Sequence, residues 1–377
     1  MGEDLRNQEK VEKLYEEARS ALSALSARYY LDAERFFKQA LELLKEAKDE
    51  SKASACEREI ENVQKENASC SPVPAIDYHA HPMFRDDLRK NPGLFMAAKH
   101  FRLKDELIPK GLDDMLEDMD KANVEKAVIM SLDSSASEHW ALKRSMLSND
   151  EVAKLVSRYP DRFIGYGSVD PRREDAVEET VRCIKELKFK GMKFHPAAVS
   201  TYPNDEKLFY PIYEKCVEFN VPVQSHCGTT GMYFTKIKYM MPLLYDDVAV
   251  DFPTLKLVLL HFGVGGWHDQ AMSLAFRHPN VYLDISGASP RIYPQSLIVS
   301  ANTPFYQGKI LFGTDYPFVG MQSWFKAFKQ LKGFGWSEET QRKVLRDNCI
   351  HLHDSAPVSP LDILRGEGID VPPGARR

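Results

Sequence analysis

The feature that most constrains this chain is an alternation of short β-rich runs with longer amphipathic stretches, sustained from residue 73 to the last predicted helix. The runs are VPAIDYHAH (73–81), VEKAVIMSL (124–132), RFIGYGSVD (162–170), FKGMKFHP (189–196), VPVQSH (221–226), LKLVLLH (255–261), NVYLDIS (280–286) and KILFGTD (309–315). Their β-branched and aromatic content, bounded by polar turns, marks them as strands. Helical periodicity fills the intervals, notably at 138–159, 172–187, 205–220, 266–277 and 337–349. Strands that each lead into a helix, repeated over roughly 280 residues, match a closed (β/α)8 barrel, the TIM-barrel architecture. An open doubly wound sheet would need a glycine-rich phosphate turn after its first strand, and HPMFRDDLRK stands there instead.

Residues 1–67 follow another rule. They contain no proline and no glycine after Gly2, and their apolar positions recur at helical steps: Val11, Leu14, Tyr15 and Ala18, then Phe37, Ala40, Leu41 and Leu44. The stretch YYLDAERFFKQALELL resembles one helix pair of a tetratricopeptide repeat or of a microtubule-interacting-and-trafficking bundle. An amphipathic helix pair is therefore expected. A single unit of that kind cannot bury its own apolar face, so it should dock on the barrel, support a homodimer or contact another protein. The Pro- and Ser-containing segment SCSPVPA reads as a linker. The expected organisation is a helical extension (1–67), a linker (68–75), a barrel (76–353) and a tail (354–377) partly extended over the surface.

Charge and cysteine usage narrow the function classes. The net charge of −5 offers no basic surface for nucleic acid. No apolar run approaches bilayer length, and MGEDLRNQEK lacks the apolar core of a signal peptide. The 6 cysteines are scattered with no CxxC pair, which suits reduced thiols and a cytoplasmic location.

Polar residues cluster at the C-terminal ends of the predicted strands: His79 and His81 on the first, His195 on the fourth, His226 on the fifth, His261 on the sixth and Asp315 on the eighth. In a parallel barrel those ends share one face, where active sites assemble. His79 and His81 are two apart and project to the same side, so both imidazoles can reach one cation. His226 and Asp315 would complete a nitrogen and oxygen ligand set that suits one divalent ion, Zn(II) first, with Mn(II), Fe(II) or Co(II) as alternatives. Lys193 shares its strand face with His195. Asp77 precedes the histidine pair by two positions and is a candidate second carboxylate that fixes a ligand tautomer. Cys227 should face away into packing. Arg291, in SGASPRIYP, is either an anion clamp for substrate or a plain surface arginine.

The segments IDYHAHPMF, GMKFHP, VQSHCG, LVLLHFGVGG and FGTDYPF, in that order, resemble the amidohydrolase-related family, in the branch that contains aminocarboxymuconate-semialdehyde decarboxylase. The resemblance covers the barrel and none of the helical segment. It implies His79, His81, His226 and Asp315 as ligands of one metal, with Asp315 also accepting a proton and His261 acting as acid or base beside the metal. In binuclear relatives such as dihydroorotase and phosphotriesterase, a lysine on the fourth strand is carbamylated, which Lys193 would match. The mononuclear branch fits the other motifs better and leaves Lys193 and His195 to bind a substrate carboxylate. The expected activity is hydrolysis of a small carboxylated or cyclic amide or lactone by metal-activated water. Non-oxidative decarboxylation is the alternative. A non-catalytic metal-binding scaffold that uses its helical extension for protein interaction is the reading from another class.

Overall fold

The computed structural model describes residues 2–23, 28–47, 49–67, 70–101, 103, 108–143, 147–356 and 360–371. Eight strands form one parallel sheet in chain order: β1 (Ala75–Ala80), β2 (Val124–Met130), β3 (Phe163–Gly167), β4 (Gly191–Phe194), β5 (Val223–Gly228), β6 (Leu257–Val264), β7 (Val281–Asp284) and β8 (Ile310–Leu311). The ring closes between β8 and β1. Tyr78 N donates to Phe312 O, Asp315 N to His79 O and His81 N to Tyr316 O, at 2.7–2.8 Å, and Ala80 bridges Tyr316 in parallel. Each predicted strand coincides with an observed one, as expected where both sheet faces are buried and the sequence runs almost continuously apolar.

Two apolar layers hold this ring. Ala127, Ile129, Met192, Leu257 and Leu259 pack outward under the helices. Val128, Met130, Tyr166, Val258, Leu260 and Leu311 meet in a second cluster. Strands that are not neighbours in the sheet can share such a cluster only inside the barrel.

The helices in chain order are α1 (Gly2–Ser23), α2 (Arg28–Glu46), α3 (Glu50–Asn67), α4 (Arg85–Lys90), α5 (Pro92–His100), α6 (Leu112–Ala122), α7 (Asn149–Arg158), α8 (Ala176–Lys185), α9 (Tyr210–Glu218), α10 (Leu244–Asp251), α11 (His268–Arg277), α12 (Gln295–Ser300), α13 (Met321–Gln330), α14 (Glu338–Arg342), α15 (Asn348–Asp354) and α16 (Pro360–Gly366). Cys349 and Leu352 of α15 enter the interior cluster. The Ser355 carbonyl beyond α15 accepts from Asn220 and Lys256, which precede β5 and β6, so this helix plugs the end formed by the strand N-termini. The opposite end is left for the site.

The N-terminal segment differs from the expected pair. Helices α1, α2 and α3 enclose a core of their own, with Val11, Ala18, Phe37, Ala40, Leu44, Cys56, Ile60 and Val63 buried, and Tyr15 meets Phe37 edge-on. The third helix supplies the partner that a pair lacks, so the segment buries its apolar face internally while α2 and α3 lie against α13. Three further boundaries move. Residues 138–143 form turns, and the helix expected from 138 starts at Asn149, where Ser148 and Glu151 make a capping box. The helix expected over 337–349 passes through a π-helical turn at Lys343–Asp347. The tail contains the short exposed helix α16, and its last residues, 372–377, lie outside the described ones. Among the described residues, no helix is long and apolar enough to cross a membrane.

Candidate metal centre

His79 sits at the end of β1, where the ladder to β2 shifts register between Asp77 and Ala80. Its Nε2 lies 3.0 Å from His81 Nε2. Asp315 Oδ1 lies 3.5 Å from His79 Nε2 and 3.2 Å from His81 Nε2. Donors that share one ion at ~2.1 Å keep about 3.0 Å between them at right angles and about 3.4 Å in a tetrahedron. The three atoms therefore have the mutual spacing of ligands on a common ion, and all three residues are buried. Burial lowers the pKa of both histidines, so the rings are neutral, with lone pairs available to a cation.

Asp315 owes its position to backbone geometry. Its φ of 64° lies in the left-handed region, which for a non-glycine residue is held only by surrounding structure. Part of that structure is Asp77, whose Oδ1 accepts from Thr314 N at 2.9 Å and from His79 N at 3.0 Å, and whose Oδ2 accepts from Thr314 Oγ1. This corrects the role expected for Asp77. Its carboxylate is engaged by β1 and by the turn carrying Asp315, and it makes no hydrogen bond to either imidazole.

His226, on β5 and expected as a further ligand, falls outside the closely spaced donor group of His79, His81 and Asp315. It packs against His195 and His261, with ring centroids 4.2 and 4.5 Å away. Its Nε2 is 2.9 Å from the Thr229 carbonyl. A carbonyl can only accept, so Nε2 carries the proton and Nδ1 keeps the lone pair. Burial first, then the nearby Lys193 charge, lowers the His226 pKa to about 3. His195 has the same tautomer for another reason. Its Nδ1 accepts from Ala198 N at 3.2 Å, which leaves Nε2–H facing Thr230 Oγ1 at 3.5 Å.

Lys193 is buried, with Nζ 3.5 Å from His79 Nε2. Burial lowers its pKa to about 8, against the charges of Asp315 and Asp284, so the ammonium form still predominates at neutral pH. His261 ends the regular part of β6, where His261, Phe262 and Gly263 take φ values of 59°, 39° and 74° in succession. This left-handed stretch turns the imidazole into the barrel mouth.

These groups line one cavity of about 120 Å³, together with Leu94, Ala97 and Phe101 from α5 and its C-terminus, Leu132 after β2, Met232 after β5 and Phe318 after β8. The ionisable groups His79, His81, Lys193, His195, His226, His261 and Asp315 all line it, with His100 at the end of α5. Arg291 does not. It is exposed and donates to Gln330 Oε1, away from this cavity. Two residues that sequence reading passed over belong to the site. Ser286 Oγ touches the Nδ1 atoms of both His79 and His261, and Asp284 accepts from Ser286. Their only signal was position, since DIS ends the seventh strand run just as the chemistry-bearing residues end the others.

The amidohydrolase family profile matches residues 76–352, essentially the whole barrel. This chain belongs to that amidohydrolase family. It is 29% identical over 149 residues to a 2-keto-4-carboxy-3-hexenedioate hydratase of Sphingobium sp., a match that takes in 35% of this chain and spans less than half, 42%, of that relative. It is 25% identical over 249 residues to the 2-amino-3-carboxymuconate-6-semialdehyde decarboxylase of Dictyostelium discoideum, covering 57% of this chain and 68% of that one. Among solved structures, the 5-carboxyvanillate decarboxylase of Novosphingobium aromaticivorans, which holds manganese, superposes with a TM-score of 0.58 at 17% identity, over 75% of this chain and 98% of that one. The barrel fold and the resemblance to the decarboxylase branch agree with the sequence reading. The expected reaction fares differently, because the curated relatives named above are a decarboxylase and a hydratase rather than hydrolases.

Proposed function

We propose that this protein is a metal-dependent carboxy-lyase that removes a carboxylate from a small unsaturated or aromatic acid without an oxidant. The observation that carries this reading is the charge arrangement of the cavity. Lys193 is a buried cation lining it, Asp315 is the one carboxylate that lines it among the described residues, and apolar side chains make the wall toward α5. A neutral lactone would leave that cation without a mobile counter-charge, whereas a substrate carboxylate supplies one.

A divalent ion would be held by His79, His81 and Asp315, with His226 offering Nδ1, and would supply Lewis-acid stabilisation of charge on substrate oxygens. The ligand chemistry admits zinc, and the manganese-holding relative makes manganese the second ion to test. The protein groups do the rest. Lys193 pairs with the anionic head, and the Nε2–H of His195 donates to a substrate oxygen. Leu94, Phe101, Met232 and Phe318 hold the carbon skeleton and exclude water. The C–C bond to the carboxylate breaks, the electron pair stays on carbon, and a proton delivered through His261 and Asp315 replaces the lost CO2.

The test is a panel of carboxyl-13C-labelled muconate-type and aromatic acids alongside lactones and amides, with protein loaded with zinc or manganese. Release of labelled CO2 with the carbon skeleton otherwise intact is expected. Ring opening of a lactone or amide without CO2 restores hydrolysis, and addition of water across a double bond without CO2 places the protein with the hydratase relative.

A further inference from the structure

The hydroxyl of Ser286 sits where three groups compete for it. It donates to Asp284 Oδ1. It also lies 3.1 Å from His79 Nδ1 and 2.9 Å from His261 Nδ1. Asp284 Oδ1 already accepts the backbone N–H groups of His261 and Ser286, at 3.2 and 3.1 Å, so it acts as an acceptor. A hydroxyl has one hydrogen and two lone pairs. With its hydrogen spent on Asp284, Ser286 can meet the two rings only by accepting from both.

We infer that Ser286, oriented by Asp284, is a positioning residue that fixes His79 and His261 together as Nδ1–H tautomers. One ring then turns its Nε2 lone pair toward His81 and Asp315, and the other turns its own away from Ser286 into the cavity. The consequence links two functions, because a single oxygen prepares a metal ligand and the proton-transferring histidine. The surroundings make room for this. A side-chain carbon at Gly287 would come within 2.5 Å of His261 Nδ1, and one at Gly313 within 3.0 Å of Ser286 Cβ. Both neighbours of the cluster are therefore limited to glycine. Carboxylates that orient ligand imidazoles are a general device of metal sites. The particular feature is a serine interposed to serve two rings at once.

The inference rests on the metal-centre reading for its importance and for its second test, but not for its first. Long-range 1H–15N correlation spectra of 15N-histidine-labelled, metal-free, full-length protein, assigned with His79→Gln and His261→Gln variants, report ring tautomers directly. Nδ1–H on both rings is expected, and Nε2–H on either overturns the inference without any variant of Ser286. Competition with a chromophoric chelator then measures zinc and manganese affinity. Ser286→Ala should weaken it about 10- to 100-fold, and by the same factor in a His261→Ala background, where turnover is already lost. Unchanged affinity in both backgrounds, with folding intact by circular dichroism, overturns the shared role. Wild-type protein that takes up neither ion defeats the metal reading instead, while the spectra still decide the tautomers.

Discussion

His226 and Thr229 are joined by a 2.9 Å hydrogen bond from the imidazole Nε2–H to the main-chain carbonyl three residues on. This ties the ring to the loop that follows β5 and leaves the lone pair on Nδ1, the nitrogen through which His226 is proposed to reach the ion. Substitution can read the difference, because asparagine places an oxygen near the Nδ1 position and glutamine near Nε2. His226→Asn should retain metal with affinity reduced about 10- to 100-fold. His226→Gln should lose more, and equal losses in the two variants would argue against binding through Nδ1.

Lys193 gives the site a pH dependence of defined sign. Its folded pKa of about 8 lies below the ordinary value of 10.5, so below pH 8 the ammonium can hold a substrate carboxylate and above it the neutral amine cannot. KM for an acid substrate should rise as pH passes through about 8, and a bound divalent ion moves that onset lower. Lys193→Met should abolish the dependence and raise KM roughly 10- to 100-fold, the worth of a lost charge-assisted hydrogen bond. A flat KM profile in the wild type would remove Lys193 from carboxylate binding.

Acid should loosen the metal-free protein. His79, His81, His195, His226 and His261 all have folded pKa values below their ordinary 6.5, so between that value and the folded ones the unfolded chain binds more protons. Stability is then lost as pH falls below about 6.5, with His226 alone contributing about 1.4 kcal/mol per pH unit down to about 3. Asp77 and Asp284, raised to about 7 mainly by burial, act in the opposite sense, but the histidines outnumber them. Urea unfolding at pH 7.0 and 5.5, chosen as roughly either side of the ordinary histidine pKa, should show a lower midpoint at the acid value. An unchanged or higher midpoint would contradict neutral buried rings.

Gly313→Ala is expected to cost about 1–3 kcal/mol through overpacking. The added carbon would stand 2.2 Å from Asp284 Oδ2 and 3.2 Å from His79 Cβ. Thermal unfolding measures the loss, and metal content should fall with it, because the same crowding displaces His79.

Removal of residues 1–67 should leave metal uptake of the remaining chain within about threefold of the full protein, since the helical unit and the barrel bury separate cores. Metal analysis of the truncated protein, with circular dichroism to establish folding, is the measurement. Failure to bind in a folded barrel would mean that contact with α13 supports the site.

The barrel and most of the residues gathered at its mouth were legible because their determinants are local. A strand such as LVLLH states both its burial and the residue it presents at the mouth. Lys193 and His195 share a face through a period of two that a regular strand keeps. Asp77 was misassigned where that regularity fails, at the register shift in β1, because a hydrogen bond to Thr314, 237 residues away, leaves no trace in the local pattern. Ser286 and Asp284 were missed for a related reason. Their meaning lies in partners on β1 and β6, and serine alone advertises no chemistry. The wall from α5 was invisible for a third reason, since Leu94, Ala97 and Phe101 look like any helix interior until the fold lays them over the mouth.

His79 lies at the end of the first strand, His81 just beyond that strand and Asp315 in the turn beyond the eighth, so the three closely spaced donors straddle the seam where the ring is joined. A nascent chain holding only the opening strands would possess two imidazoles and no carboxylate to complete the set. Ion capture in this protein would thus report that the cylinder is complete, and a loaded ion would in turn act as a clasp across its last joint.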